Sequence, residues 1–87
     1  MSQETLPCFS TEAQSIVIGS FYEHYKGTRY RVLSVARHSE TLEELVVYRA
    51  LQEDSDVWVR PLSMFLEEVI IDGKLLPRFK LITIDNC

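Results

Sequence analysis

The residues best equipped for chemistry fall in one run and three outliers. Arg37-His38-Ser39-Glu40-Thr41 sets a guanidinium, an imidazole, two hydroxyls and a carboxylate side by side, and Tyr48, Trp58-Val59-Arg60 and Arg78 follow. His38 is suited to general acid or base work. Arg37, Arg60 and Arg78 carry the flat, permanently charged fork that matches a carboxylate or a phosphate. Neighbours on a strand point to opposite faces, so His38-Ser39-Glu40 is a poor nucleophilic triad. The plainer reading is that Ser39, Glu40 and Thr41 hydrogen-bond the backbone of their own turn. Convergence of Arg37, His38, Arg60 and Arg78 at one end of the domain would make an anion pocket. Divergence would make them pins between strands, with Arg60 paired to Glu40, Glu43 or Glu67. The candidate ligand-binding set is therefore Arg37, His38, Ser39, Glu40, Thr41, Tyr48, Trp58, Arg60 and Arg78.

No catalytic or metal site is expected. His24 and His38 are the only histidines, Cys8 and Cys87 the only thiols, and no CxxC, HxxxH or HxxE pairing occurs. A zinc site would need ligands gathered from scattered turns. No cofactor motif is present either.

The elements that must position these residues read as short strands. Phe21–Tyr25 is predicted as a strand, Lys26-Gly27-Thr28 as a tight turn, and Arg29–Arg37 as a second strand rich in Tyr and Val. Alternation puts Arg31, Leu33 and Val35 on one face, with Tyr30, Val32, Ser34 and Ala36 on the other. Neither set is purely polar, so cover on much of both faces is expected. Thr41-Leu42-Glu43-Glu44 fits a capping box for a helix with Leu42, Leu45, Val46 and Arg49 on one stripe. The β-branched and aromatic run Leu45-Val46-Val47-Tyr48 suits a pleated surface better, so a hairpin with a broad polar turn over residues 38–43 is preferred. The acidic turn Gln52–Asp56 leads to a further strand over residues 57–60. Pro61 starts a helical turn, and Phe65–Ile71 resumes as strand. Asp72-Gly73 signals a type I′ hairpin turn with Lys74–Leu76 returning. Lys80–Cys87 is a tail able to add an edge strand.

Ahead of this lies an arm, residues 1–18, with Leu6, Phe9, Ala13 and Ile16 at helical spacing and a cap at Ser10-Thr11-Glu12. It is read as mobile, with one short helix. The domain proper spans 19–80 and the tail 81–87. Five or six short antiparallel strands and one helical turn imply a mainly all-β fold, a small SH3-like barrel.

Composition sets the outer limits. With 87 residues, 46% hydrophobic and 10% aromatic, the chain is one small domain with enough apolar content to fold. A net charge of −4 speaks against generic nucleic-acid binding. The charge is unevenly spread: most of it reads as solvated turns and faces, and Lys26, Arg29, Arg31 and Arg37, in an acid-free stretch, leave room for a small anionic ligand. No signal peptide or apolar membrane span is read, and the two cysteines are taken as free thiols rather than a disulfide, so a cytoplasmic setting is expected.

The run Gly19…Tyr22-Glu23-His24-Tyr25-Lys26-Gly27, Tyr30-Arg31-Val32, Ala36–Thr41, Leu45–Tyr48, Trp58-Val59-Arg60-Pro61, Met64-Phe65 and Pro77-Arg78-Phe79 resembles a family of small bacterial proteins. That family is catalogued as domain of unknown function sixteen fifty-three. The resemblance covers Gly19 to Phe79 and implies a compact SH3-type barrel. It implies no activity.

Two functional readings follow. The first is a non-enzymatic binding module that presents an aromatic, Arg-lined surface to a small anionic ligand or to a peptide or protein partner. The second is a small enzyme or enzyme subunit acting on an anionic, nucleotide-like substrate, with His38 as acid or base and Arg37 and Arg60 as clamps. A deep pocket beside a perturbed His38 would favour the second.

Overall fold

The computed structural model describes residues 8–52 and 54–83. Its elements in chain order are α1 (Thr11–Gln14), β1 (Phe21–His24), β2 (Arg29–Arg37), β3 (Glu44–Ala50), β4 (Val57–Pro61), α2 (Leu62–Phe65), β5 (Glu68–Ile71), β6 (Lys74–Pro77) and β7 (Phe79–Ile82). The fold is mainly β, with seven strands in antiparallel sheets. Five of them form one sheet in the order β4-β3-β2-β1-β7, and β5-β6 form a separate hairpin. Among the described residues the ladders do not close on themselves: β4 and β7 are the two edges of an open sheet.

Local sequence explains most boundaries. Gly27, at φ 106°, closes the β1–β2 turn, with its N–H donating to the His24 carbonyl at 2.7 Å. Asp72 and Gly73 both take positive φ, the geometry a type I′ turn requires. The 41–46 stretch is strand from Glu44 onward, as its β-branched content favours. Pro61 ends β4 and precedes the single turn of α2, and the next strand begins only at Glu68 because that helix runs to Phe65. An edge strand forms at this end but starts at Phe79: β7 pairs with β1, His24 opposite Phe79 and Phe21 opposite Ile82, so the sheet runs past residue 80, and residues 84–87 of the tail lie outside the described residues.

Two expectations are corrected. The register of β2 against β3 slips between Val32 and Ser34, which makes Leu33 the extra residue of a bulge. A bulge inverts the alternation beyond it, so Val35 joins Tyr30 and Val32 at the core instead of lying opposite them. The second correction concerns cover. Arg31, Leu33, Val57 and Val59 are exposed, and the outer face of the sheet lies open.

The covered face carries the core: Ala13, Ile16, Tyr22, Val32, Val46, Tyr48, Leu62, Phe65 and Phe79, with Phe9, Tyr30 and Val35 packed against them. Phe65 and Phe79 are stacked, centroids 4.2 Å apart and planes 5° from parallel. Tyr22 meets Phe65 edge-on at 5.3 Å, and Tyr48 meets Phe65 and Phe79 at 5.7 and 5.6 Å. The described part of the N-terminal arm is docked on this core. Ser10 caps α1 by accepting from the Ala13 N–H at 3.0 Å, while its own N–H and hydroxyl donate to the two oxygens of Glu44, each at 2.7 Å. Glu44 thus holds α1 against β3 and takes no part in the capping box read with Thr41. Leu6 lies outside the described residues.

Two outcomes are expected. Phe65→Ala removes the centre of the aromatic stack and costs about 3–5 kcal/mol in urea unfolding. Ile70→Ala, at a position 72% exposed, shifts stability by less than about 0.5 kcal/mol. The Glu44 carboxyl is held below its ordinary 4.5 by the two Ser10 hydrogen bonds, with Arg37 assisting. A lowered folded value means that the unfolded chain binds more protons as pH falls below 4.5, so this contribution is full above that value and fades beneath it. The stability gap between wild type and Glu44→Gln should therefore narrow from pH 7 towards pH 3 in chemical denaturation; a gap that stays constant would contradict the assignment.

Candidate functional site

The structure divides the sequence-predicted residues into two groups. The first surrounds the β2–β3 turn. Arg37 lies opposite Glu44 in the ladder, its guanidinium 4.4 Å from the Phe9 ring centroid. His38 Nδ1 accepts from the N–H groups of Glu40 and Thr41, at 3.1 and 3.3 Å. Thr41 Oγ1 accepts from the Glu43 N–H at 3.1 Å. Leu42 takes φ 64°, its N–H donating to the His38 carbonyl, and Ser39 and Glu40 are exposed. The donors and acceptors of this run organise their own turn. His38 acts as a turn acceptor, and no neighbouring hydroxyl is aligned with it as a nucleophile.

The second group gathers at the open rim of the aromatic core. Pairing of Tyr48 with Trp58 and of Val46 with Arg60 puts all four on the core-facing side of the sheet. Arg60 Nε donates to the Tyr48 hydroxyl at 3.1 Å, and its guanidinium carbon lies 5.4 Å from the Phe79 centroid. Arg78 stands between β6 and β7, where its N–H donates to the Glu67 carbonyl and its carbonyl accepts from Tyr25. Its Nη2 pairs with Glu67 Oε1 at 3.0 Å, while its Nε is buried without a hydrogen-bond partner. Trp58 is 54% exposed beside Arg60.

His24 completes the group, and sequence reasoning missed it. Alternation along β1 places it on the same face as Tyr22, where it meets the Phe79 ring edge-on at 5.0 Å and lies 4.4 Å from Tyr25. Its Nδ1 accepts from the Lys26 N–H at 3.1 Å. Burial lowers its pKa below the ordinary 6.5, and Arg60, Arg78 and Lys26 lower it further. The usable signal was the two-residue spacing from Tyr22, which puts His24 on the core-facing side of β1.

The rim thus holds two guanidiniums and a neutral-leaning imidazole with Glu67 as the paired carboxylate. Among the described residues no carboxylate pairs with Arg60. Such a cluster favours an added negative charge. A hollow of about 230 Å³ adjoins it through His24, lined also by Glu23, Tyr25, Leu76, Pro77 and Lys80. A larger hollow, about 490 Å³, is elsewhere: Glu12, Glu43 and Glu44 line it with Ser10 and Leu62, and that charge repels anions. Among the described residues no three His, Cys, Asp or Glu side chains gather as metal ligands would.

A solved structure shares this architecture: a DUF1653 protein from Bordetella bronchiseptica, 32% identical, with a TM-score of 0.73 over 86% of this chain and 97% of that one. No curated protein matches the chain. The family described as "Protein of unknown function (DUF1653)" matches residues 20–81, a span that includes β1 through β7 up to Leu81 and every residue of the rim cluster. The chain belongs to that family.

Proposed function

We propose that this protein is a non-enzymatic binding module that takes an anionic group at Arg60 and Arg78, with Trp58 as the flat surface beside it. The observation that carries the reading is the convergence of Arg60 and His24 on Phe79, with the Arg78 charge also felt at His24 and with Arg60 lacking an acidic partner among the described residues. A carboxylate or phosphate accepts from guanidinium nitrogens that Tyr48 and Glu67 leave unused. A planar ring attached to it stacks on Trp58. Discrimination against long nucleic acids follows from the acidic balance of the chain, net −4.

The enzyme reading loses its support because His38 is engaged by its own turn and is separate from the rim cluster. The SH3-like description belongs to the same proposal. One residue, Arg78, separates β6 from β7, so hairpin and sheet share one nearly continuous strand, as small barrels do when they wrap. We place the protein in a bacterial cytoplasm, in keeping with the exposed free thiol of Cys8. Cys87 lies outside the described residues. Among the described residues no helix is long and apolar enough to cross a membrane.

Titration of isotope-labelled protein with nucleotides, short RNAs and anionic metabolites tests the reading. Expected are shifts at His24, Tyr48, the Trp58 indole and Arg78, and a loss of affinity of roughly tenfold or more in Arg60→Ala and in Arg78→Ala. Shifts confined to residues 37–41, or none with any probe, would overturn it. His24 gives an internal check. Cations disfavour its imidazolium, so Arg60→Ala should raise its titration midpoint towards 6.5, and a bound anion should do the same in wild type.

A further inference from the structure

The edge strand β4 points to an interaction of a different kind. Val57, Trp58 and Val59 are consecutive and 55%, 54% and 58% exposed, an unusual run for a sheet edge. The direction of their backbone groups is fixed by the neighbouring strand. On β3, the Ala50 N–H donates towards β4, to Ser55 Oγ, and the Leu51 N–H donates towards β2, to the Arg29 carbonyl. Tyr48, two residues before Ala50, therefore faces β4 and exchanges its backbone bonds with Trp58. Val57 and Val59 then aim their N–H and C=O groups away from the sheet. Pro61 falls on the same outward set, where its missing N–H costs the β3 ladder nothing.

We infer that β4 pairs antiparallel with β4 of a second copy of this chain about a two-fold axis at Trp58, joining two five-stranded sheets into one. The register is self-complementary. Val57 and Val59 of one protomer exchange both backbone bonds with Val59 and Val57 of its partner, which uses all four outward groups. Trp58 meets the partner's Trp58 at a non-hydrogen-bonded site, where side chains lie closest. Asp56 falls opposite the partner's Arg60, and this charge match selects a second copy over an arbitrary strand. Both residues lack an ion-pair partner among the described residues of their own chain. On the outer face the exposed valines of the two copies lie opposite each other, Val57 against the partner's Val59. The inference does not rest on the ligand reading, and the pairing is measured with no anion added.

Sedimentation velocity over a concentration series, with emission from the single Trp58 recorded in parallel, tests the inference. A concentration-dependent dimer with blue-shifted Trp58 emission is expected. Val59→Pro deletes one outward N–H and spares the β3 ladder, so it should fold, as judged by circular dichroism, and lose dimer affinity by roughly tenfold or more. Asp56→Lys should weaken the dimer most at low salt. A chain that stays monomeric throughout overturns the inference and leaves the edge to a strand from another protein. A dimer equally strong in folded Val59→Pro overturns it as well.

Discussion

The stack of Phe65 on Phe79 is the contact on which the rest of the molecule depends. A sheet of five short strands must cover one face to fold, and the covering pieces here are small: one turn of α1, one turn of α2 and the bend at Arg78. None of them could bury the sheet alone. Phe65 arrives at the end of α2 and Phe79 at the start of β7, and their parallel rings tie those two pieces together. Tyr22, Tyr30 and Tyr48 reach one or both rings from three adjacent strands of the sheet. Two of these tyrosines keep the ring inside while the hydroxyl finds a partner. Tyr22 accepts from the Val17 N–H and Tyr48 accepts from Arg60.

That arrangement explains why the cations sit where they do. Phe79 is buried, yet its neighbours in sequence and in space are Arg78, Arg60 and His24. An aromatic face attracts a guanidinium, so Arg60 closes the core as a lid that is apolar on its inner side and charged on its outer side. Arg78 is tied by Glu67 and by two backbone bonds, which fixes the bend between β6 and β7. These residues are strand pins and a cationic surface at once. The two roles that sequence reasoning set against each other are compatible because a guanidinium has more donors than one contact uses.

The sequence made the strands and turns legible because their signals are local: Gly27, the Asp72-Gly73 pair, Pro61 and the β-branched run after Leu45 each act within a few residues. The bulge at Leu33 was not legible, since nothing in Val32-Leu33-Ser34 marks which residue is extra; the register against β3 decides it. The same holds for Glu44. Its spacing from Thr41 suggests a cap, but Ser10, far away in sequence, holds both of its oxygens. Tyr48, Trp58, Arg60 and Arg78 were named from residue chemistry and do share one rim. Arg37 to Thr41 were named on the same grounds and belong to a turn that satisfies itself. The difference lies in pairing across strands, which residue type does not encode. Missing His24 has the same origin, for its neighbours come from β4 and from the bend before β7.

Arg60 is where the two proposed interactions meet. The residue alternates with Val59 along β4, so its side chain faces the aromatic core while the backbone beside it faces the open edge. An anion bound at the rim and the Asp56 of a paired copy draw on the same guanidinium. Two ligands that share a group cannot both gain its full attraction, so each weakens the other by an equal factor, as linkage requires. The exposed Trp58 lies at the same junction, its ring available to a ligand in the monomer and placed against its own copy in the dimer. Taken together, the two proposals set ligand and self-association in competition for one charged side chain.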